Sequence, residues 1–435
     1  MAGLESSISA AEVGPIAGLQ FQLPKVSSYV TSRTESYFVP SGNNFAPGGV
    51  RTMRVNASGN GFADLSSAVL EFTVRNDDAT QALRPITSSG GAFFSELRVM
   101  CSGIEVERIG GGGCSYTRIE EALSKGLPIQ KRIDQAGMAF QVATKTAGGA
   151  TLDLFEGGVL ETGSLGATLS TTVLHKPLFG LGMQHLYLPL WSLTGAGMTF
   201  EFMLHSSGAD AVNSTVVAGV SGSTSWTISN VRLHMDILTV DEALMSSYAQ
   251  HLLSGKGLVV PFRSYTNLSF QNSSKDTMLQ IPRTFSRCNQ VWVLCSRPAS
   301  AALKDGNYFP APTGAFDILE SWIQVGSTKW PSNTYGPGVR AHYMRYLKAL
   351  GYLSSGVHAT SNSLQAYSSN SMLLIFDLER VPGSAMSGYN THGGNMTVNL
   401  RGLGATDADA PSRIDILIWH DSLLEILDGS CTVSF

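Results

Sequence analysis

The chain has 435 residues, with 29 Lys and Arg against 33 Asp and Glu and a formal net charge of -4. Charged residues are 14%, apolar residues 43%, and 46 Gly and 17 Pro punctuate the chain; this profile excludes a disordered, collagen-like or coiled-coil protein and leaves length for about two to three domains. The balanced charge also argues against gripping nucleic acid or an anionic membrane, because replacing counterions needs a basic stripe and the densest basic stretch is Lys131-Arg132.

In chain order, the first twenty residues hold no Lys or Arg and lack the positive and apolar regions of a secretory signal. Residues 1–25 are expected to form an N-terminal arm, with Leu4, Ile8 and Ala11 at helical spacing. Period-two or short apolar runs rich in Val, Ile and Phe then predict strands over 68–75 (AVLEFTVR), 97–101, 198–204 (MTFEFML), 231–240, 291–295, 372–378 (MLLIFDL), 396–400 and 414–419 (IDILIW). The run of residues 177–200 carries no formal charge, but Pro177, Pro189, Gly180, Gly182, Gly195 and Gly197 interrupt it, so strands rather than a bilayer span are expected there. Residues 135–152 and 205–226 are rich in Gly, Ala, Ser and Thr and read as long excursions from a sandwich.

Helical signals are few. Leu244, Tyr248 and Leu252 recur every four residues in 241–253, Thr239 and Glu242 have capping-box spacing, and Gly255 supplies a stop. Segments 117–125 and 341–350 are two further short helices.

Self-similarity is the most informative pattern. Residues 96–127 and 320–353 both run strand, tight Gly/Ser turn, short strand, Gly-rich loop and helix. Gly197-Met198-Thr199 followed by 231–242 is matched by Asn395-Met396-Thr397 followed by 414–425, again about two hundred residues later. The chain therefore reads as duplicated, with a first half at 26–240, a linking helix at 241–255 and a second half at 256–435. Each half is long enough for an eight-stranded sandwich, since a sheet with one apolar face must bury it against another.

Signals for chemistry are weak. The nine His include no His-x-His or HExxH, the closest spacing being His175 with His185, and the five Cys form no CxxC, so no metal, cofactor or redox motif follows and reduced thiols are expected. Gly110 to Gly113 lack the GK[ST] ending of a phosphate loop and read as a flexible connector. Asp377 with Glu379, expected on one strand face, and Asp415 with Asp421 are the carboxylate pairs a jelly-roll hydrolase would need, but the six Trp form no sugar-stacking cluster in the sequence. Asp77-Asp78 and Asp407-x-Asp409 could touch Ca2+ but read as solvated loop acids, and the glycosylation triplets at Asn56 and Asn395 are of the kind chance supplies. No catalytic, cofactor-binding or metal residue is assigned.

The segment 231–265 (VRLHMDILTVDEALMSSYAQHLLSGKGLVVPFRSY) resembles the junction between the sandwiches of double jelly-roll major capsid proteins. Segments 64–75, 94–109 and 176–193 (KPLFGLGMQHLYLPLWSL) resemble the first half of that family, and 375–400 and 414–426 its second half. The resemblance covers most of the chain and is nearest to the short members from virophages, Polinton-like viruses and adintoviruses, double-stranded DNA viruses, rather than to the larger adenovirus hexon, whose inserted towers this sequence has no room for.

This resemblance implies an all-β chain of two antiparallel jelly rolls in tandem with a few short helices. It also implies a structural role: homotrimers of pseudo-hexagonal outline that tile an icosahedral shell, meeting neighbouring capsomers, penton and minor capsid proteins in a virion assembled in the host cytoplasm or nucleus. Neither enzymatic activity, sequence-specific nucleic-acid binding nor a membrane span is expected. A two-domain carbohydrate-binding protein and a jelly-roll hydrolase are the rival readings.

Overall fold

The computed structural model describes residues 30–87, 89–124, 145–147, 150–152, 165–212, 215–217, 220–296, 318–332, 337–352, 363–381, 386–427 and 429–435. The expected arm at 1–25 and most of the excursion at 135–152 lie outside them.

The first half supplies eight main strands: β1 (Val30–Phe38), β2 (Thr52–Ala57), β3 (Phe62–Asn76), β4 (Phe94–Cys101), β5 (Ile104–Gly110), β6 (Ser170–His175), β7 (Met198–Leu204) and β8 (Trp226–Val240). They pair antiparallel in two sheets, ordered β1-β8-β3-β6 and β2-β7-β4-β5. The second half supplies β9 (Leu258–Gln271), β10 (Thr277–Ile281), β11 (Cys288–Cys295), β12 (Glu320–Val325), β13 (Thr328–Trp330), β14 (Leu373–Asp377), β15 (Met396–Arg401) and β16 (Arg413–Leu427). Their order is β9-β16-β11-β14 and β10-β15-β12-β13, so adding eight to every strand of the first half reproduces the second. Both halves are jelly rolls. A final strand, β17 (Ser430–Ser434), pairs with β16.

The duplication holds at single-residue register. Met198 opens β7 opposite the last residues of β2 and β4, Ala57 and Cys101; Met396 opens β15 opposite the last residues of β10 and β12, Ile281 and Val325. Helix α1 (Tyr116–Ser124) follows β5 as helix α3 (Val339–Ala349) follows β13, while α2 (Glu242–Leu253) joins the halves. Asp241, not Thr239, caps α2: its Oδ1 accepts from the Glu242 N–H at 2.9 Å, and Gly255 ends the turn beyond with φ +77°. A short helix α4 (Leu364–Asn370) was not anticipated.

Alternation explains the strands. In β2, Met53, Val55 and Ala57 are buried while Thr52, Arg54 and Asn56 are exposed. In the first sandwich Phe94 meets Phe72 edge-on and Phe202 at a tilt, and Trp226 meets Phe93, between its sheets. Every residue of the central strand β11 is buried, and the buried apolar side chains of both halves form one contiguous cluster. Residues 177–200 are mostly turns rather than strands, with single 3-10 turns at Gly180–Met183 and Leu190–Ser192 around the two-residue strand Leu188–Pro189. The described part of 205–226 is a similar excursion, a turn at Gly208–Asp210 and a small hairpin, with Val212 buried against the body.

Candidate functional site

The groups that sequence reasoning paired for chemistry are taken up by structure. His175 is buried between Ser89 Oγ, 3.2 Å from Nδ1, and Tyr116 Oη, 3.0 Å from Nε2, whereas His185 is exposed, so the pair forms no ligand set. β14 ends at Asp377, which places Glu379 beyond the strand rather than on its face. There the Glu379 backbone N–H donates to Asp377 Oδ1 at 3.1 Å, and its carboxylate takes Arg263 Nη2 at 2.8 Å. Asp421 Oδ1 accepts from Asn289 Nδ2 at 2.7 Å. Asp78 accepts backbone N–H groups of its own loop, Asp407 accepts the backbone N–H of Lys275 at 2.9 Å, and Asp409 closes a capping box with Thr406. Among the described residues, no group of three or more His, Cys, Asp or Glu could hold a metal. An aromatic cluster does exist, with Trp292 stacked on Trp419 at 5.1 Å and Tyr265 edge-on to Trp419 at 4.9 Å, but Trp292 and Tyr265 are buried. It is core, with no open face for a sugar.

What the fold does assemble is a polar seam between the two jelly rolls. At its centre Glu107 of β5 is buried, with Gly180 N and Ser264 Oγ donating to Oε1 at 2.9 and 2.8 Å and Leu181 N donating to Oε2 at 2.9 Å. Loss of water pushes this carboxyl up to about 7 against the pull of the three donors. Gly180 is obligatory: a Cβ there would sit 1.9 Å from the carbonyl oxygen of Arg263 on β9.

The Gly110–Gly113 run belongs to the same seam and is not a loose connector. Its four residues all have positive φ, Gly110 N donates to Asn267 Oδ1 at 3.2 Å, and Asn267 Nδ2 donates to Gly111 O at 2.9 Å. One amide of β9 thereby holds the loop that feeds α1.

From α1, Arg118 Nε reaches Asp415 Oδ2 of β16 at 2.5 Å, and Arg413 Nε reaches the same oxygen at 3.2 Å. The Arg118 and Asp415 side chains are 2% and 1% exposed, so the charges meet out of water. At the far end, Thr194 Oγ1 donates to Gly429 O at 2.7 Å, tying the β16–β17 turn to the first half.

A crevice of about 440 Å³ lies where β5 and β9 diverge, walled by Arg108, Arg283, His420 and Phe435. Its polar groups are engaged. His420 contacts Thr266 Oγ1 and Ser422 Oγ, both at 3.0 Å, and burial holds its pKa down at about 3. The Arg283 guanidinium lies 5.0 Å over the Phe435 ring. The seam's chemistry is therefore mechanical: it fixes the orientation of one sandwich against the other.

Of the seam, sequence reasoning singled out only Asp415, weighed as a catalytic acid, and the Gly110–Gly113 run, read as a flexible connector. Glu107, Arg118, Asn267 and Gly180 come together only after both jelly rolls have closed.

No family model matches the sequence, and no curated protein matches it. Solved structures do match in shape. PBCV-1 VP54, as fitted into a reconstruction of the virophage Sputnik, covers 95% of this chain and 99% of its own at a TM-score of 0.61 and 10% identity. The Faustovirus major capsid protein covers 94% and 92% at 0.59 and 9% identity, and the mavirus major capsid protein 98% and 94% at 0.51 and 10%. At such identities the likeness is one of fold: the chain carries, over nearly its whole length, the double jelly-roll architecture of these viral proteins.

Proposed function

We propose that this protein is the major capsid protein of a double-stranded DNA virus and builds the shell as homotrimeric, pseudo-hexameric capsomers. The observation that carries the reading is the strand-for-strand repetition of one jelly roll within one chain. Three copies about a threefold axis present six nearly equivalent sandwiches, and such a block tiles a plane of hexagonal symmetry. The buried seam supports this, because tiling requires that the two sandwiches keep one mutual angle in every copy. The similar solved structures named as major capsid proteins support it further.

On this reading the division into an arm at 1–25, jelly rolls at 26–240 and 256–435 and a linker at 241–255 is a division of labour. The sandwiches make the block and the arm clasps a neighbour or faces the interior. Partners are further capsomers, penton and minor capsid proteins; the place is the virion, after assembly in the host cytoplasm or nucleus. The near-neutral charge supports a coat that does not grip its genome, and no helix among the described residues is long and apolar enough to cross a membrane. The protein's work is structural rather than enzymatic, a reading supported by Asp377, Asp415 and Asp421 being engaged within the fold. Imaging of the purified full chain by electron microscopy tests the proposal: particles of hexagonal outline with threefold symmetry support it, and a field of single two-lobed molecules refutes it.

A further inference from the structure

We infer that the outer face of the β1-β8-β3 sheet seats β13 and α3 of a second copy of the chain, so that the contact between copies repeats the seam inside each one. The inference rests on the capsomer reading and names the two faces that join.

The seam brings unlike surfaces together. The first jelly roll offers β5, the Gly180 turn and α1, and the second offers the edge and outer face of its β9-β16-β11 sheet. On that face Tyr265 Oη donates to Met183 Sδ of the turn at 3.0 Å and Asp415 takes Arg118 of α1. Trp292 and Leu417, directly opposite each other in the ladder, are buried.

Because the jelly roll is duplicated, the chain carries each surface twice, and the seam uses one of each. The counterpart of β9-β16-β11 is β1-β8-β3, whose outer face is open: Tyr37 is 63% exposed, the Glu35 side chain is 70% exposed, and Arg33 and Arg232 are exposed as well. The counterpart of β5 and α1 is β13 and α3. There Arg340, Met344 and Lys348, four residues apart, form one exposed row along the helix. One open surface of each kind, on opposite jelly rolls, is the condition for head-to-tail contact, which is complete only when the copies close into a ring.

The two open faces have opposite charge. β13 and α3 (TKW and VRAHYMRYLKA) contain no acid and carry Lys329, Arg340, Arg345 and Lys348. The sheet face holds Glu35, Asp64, Glu71 and Asp236 against Arg33 and Arg232. Arg33 is taken by Asp236 and Asp64, and His234 lies between Glu71 Oε2 at 2.7 Å and Glu35 Oε1 at 3.5 Å. Carboxylates are therefore in excess where the basic helix would land. The seam within the chain is covered as the chain folds and can bury Tyr265, Trp292 and Leu417; a face that waits in water for another copy has to stay polar, and opposite charge then guides the docking.

The test treats the purified full chain with a water-soluble carbodiimide, which joins amines to carboxylates in direct contact, and maps the links by mass spectrometry of bands from a denaturing gel. Expected in the two-chain and three-chain bands, and absent from the one-chain band, is a peptide containing Lys329 or Lys348 joined to one containing Glu35 or Glu71. This map needs no variant to fold. Native mass spectrometry of variants adds the energetic arm. Glu35→Lys/Glu71→Lys and Arg340→Glu/Lys348→Glu are each expected to raise the concentration at which the three-chain species falls apart by at least about tenfold, with circular dichroism unchanged. The two sets combined in one chain are expected to bring it back toward the wild-type value. A three-chain species that links through other surfaces, or that both variants leave intact, overturns this inference and leaves the capsomer reading standing; a wild-type chain that stays monomeric overturns both.

Discussion

Arg118 on α1 of the first jelly roll donates through Nε to Oδ2 of Asp415 on β16 of the second, at 2.5 Å, with both side chains almost wholly removed from water. Breaking a buried pair of this kind costs up to about 3–5 kcal/mol, less for loss of Arg118, which leaves Asp415 with Arg413 at 3.2 Å, whereas replacing both members by apolar groups is close to neutral. Asp415→Asn is expected to lower thermal stability sharply and Arg118→Met by less, and Arg118→Met/Asp415→Leu to regain most of it. Calorimetry on the three variants checks this; a double variant as weak as the singles would show that the pair does more than satisfy two charges.

The approach of the Gly180 turn to β9 gives a steric test. A methyl group at Gly180 meets the Arg263 carbonyl, and at Gly48 it meets nothing within 4 Å. Gly180→Ala is expected to cost at least about 1–3 kcal/mol, the usual range for overpacking, and Gly48→Ala to change the melting temperature little. Equal melting of the two variants would mean that the seam yields without cost.

Buried groups of opposite kinds set a stability optimum. His175, His342 and His420 are held down at about 3 by burial, so they stay neutral in the fold while the unfolded chain protonates them below 6.5. Their contribution is complete above pH 6.5 and is lost as the pH falls. Burial raises Glu107 to about 7 and Glu120 to about 8 from 4.5, so these keep a proton in the fold that the unfolded chain has released. Their contribution is complete below pH 4.5 and is lost as the pH rises through 7 and 8. Three histidines outweigh two glutamates on the acid side, so the melting temperature is expected to peak near pH 6.5. A series of thermal melts checks it. Glu107→Gln should flatten the fall above the peak, and a melting temperature still rising at pH 8 would contradict the assignment.

Legibility followed burial. MTFEFML was readable as β7 to the residue because it alternates against a packed face. β1, VTSRTESYF, carries no such pattern: nearly all of it is exposed, and it is placed by backbone pairing with β8 from Phe38–Leu233 back to Val30–Val240. β9 was obscured by Pro261, which is tolerated because β9 lies at a sheet edge, bonded only to β16. The duplication was visible because it lies in order and spacing, which survive when composition is bland. The seam was not, since Arg118 and Asp415 are 297 residues apart and nothing local to either announces the other.

The central claim, that three of these twin-sandwich chains form one block, is tested most directly by native mass spectrometry of the intact protein. The account expects a dominant species of three chains that persists on dilution. A chain that stays monomeric at every concentration at which it remains folded would contradict it.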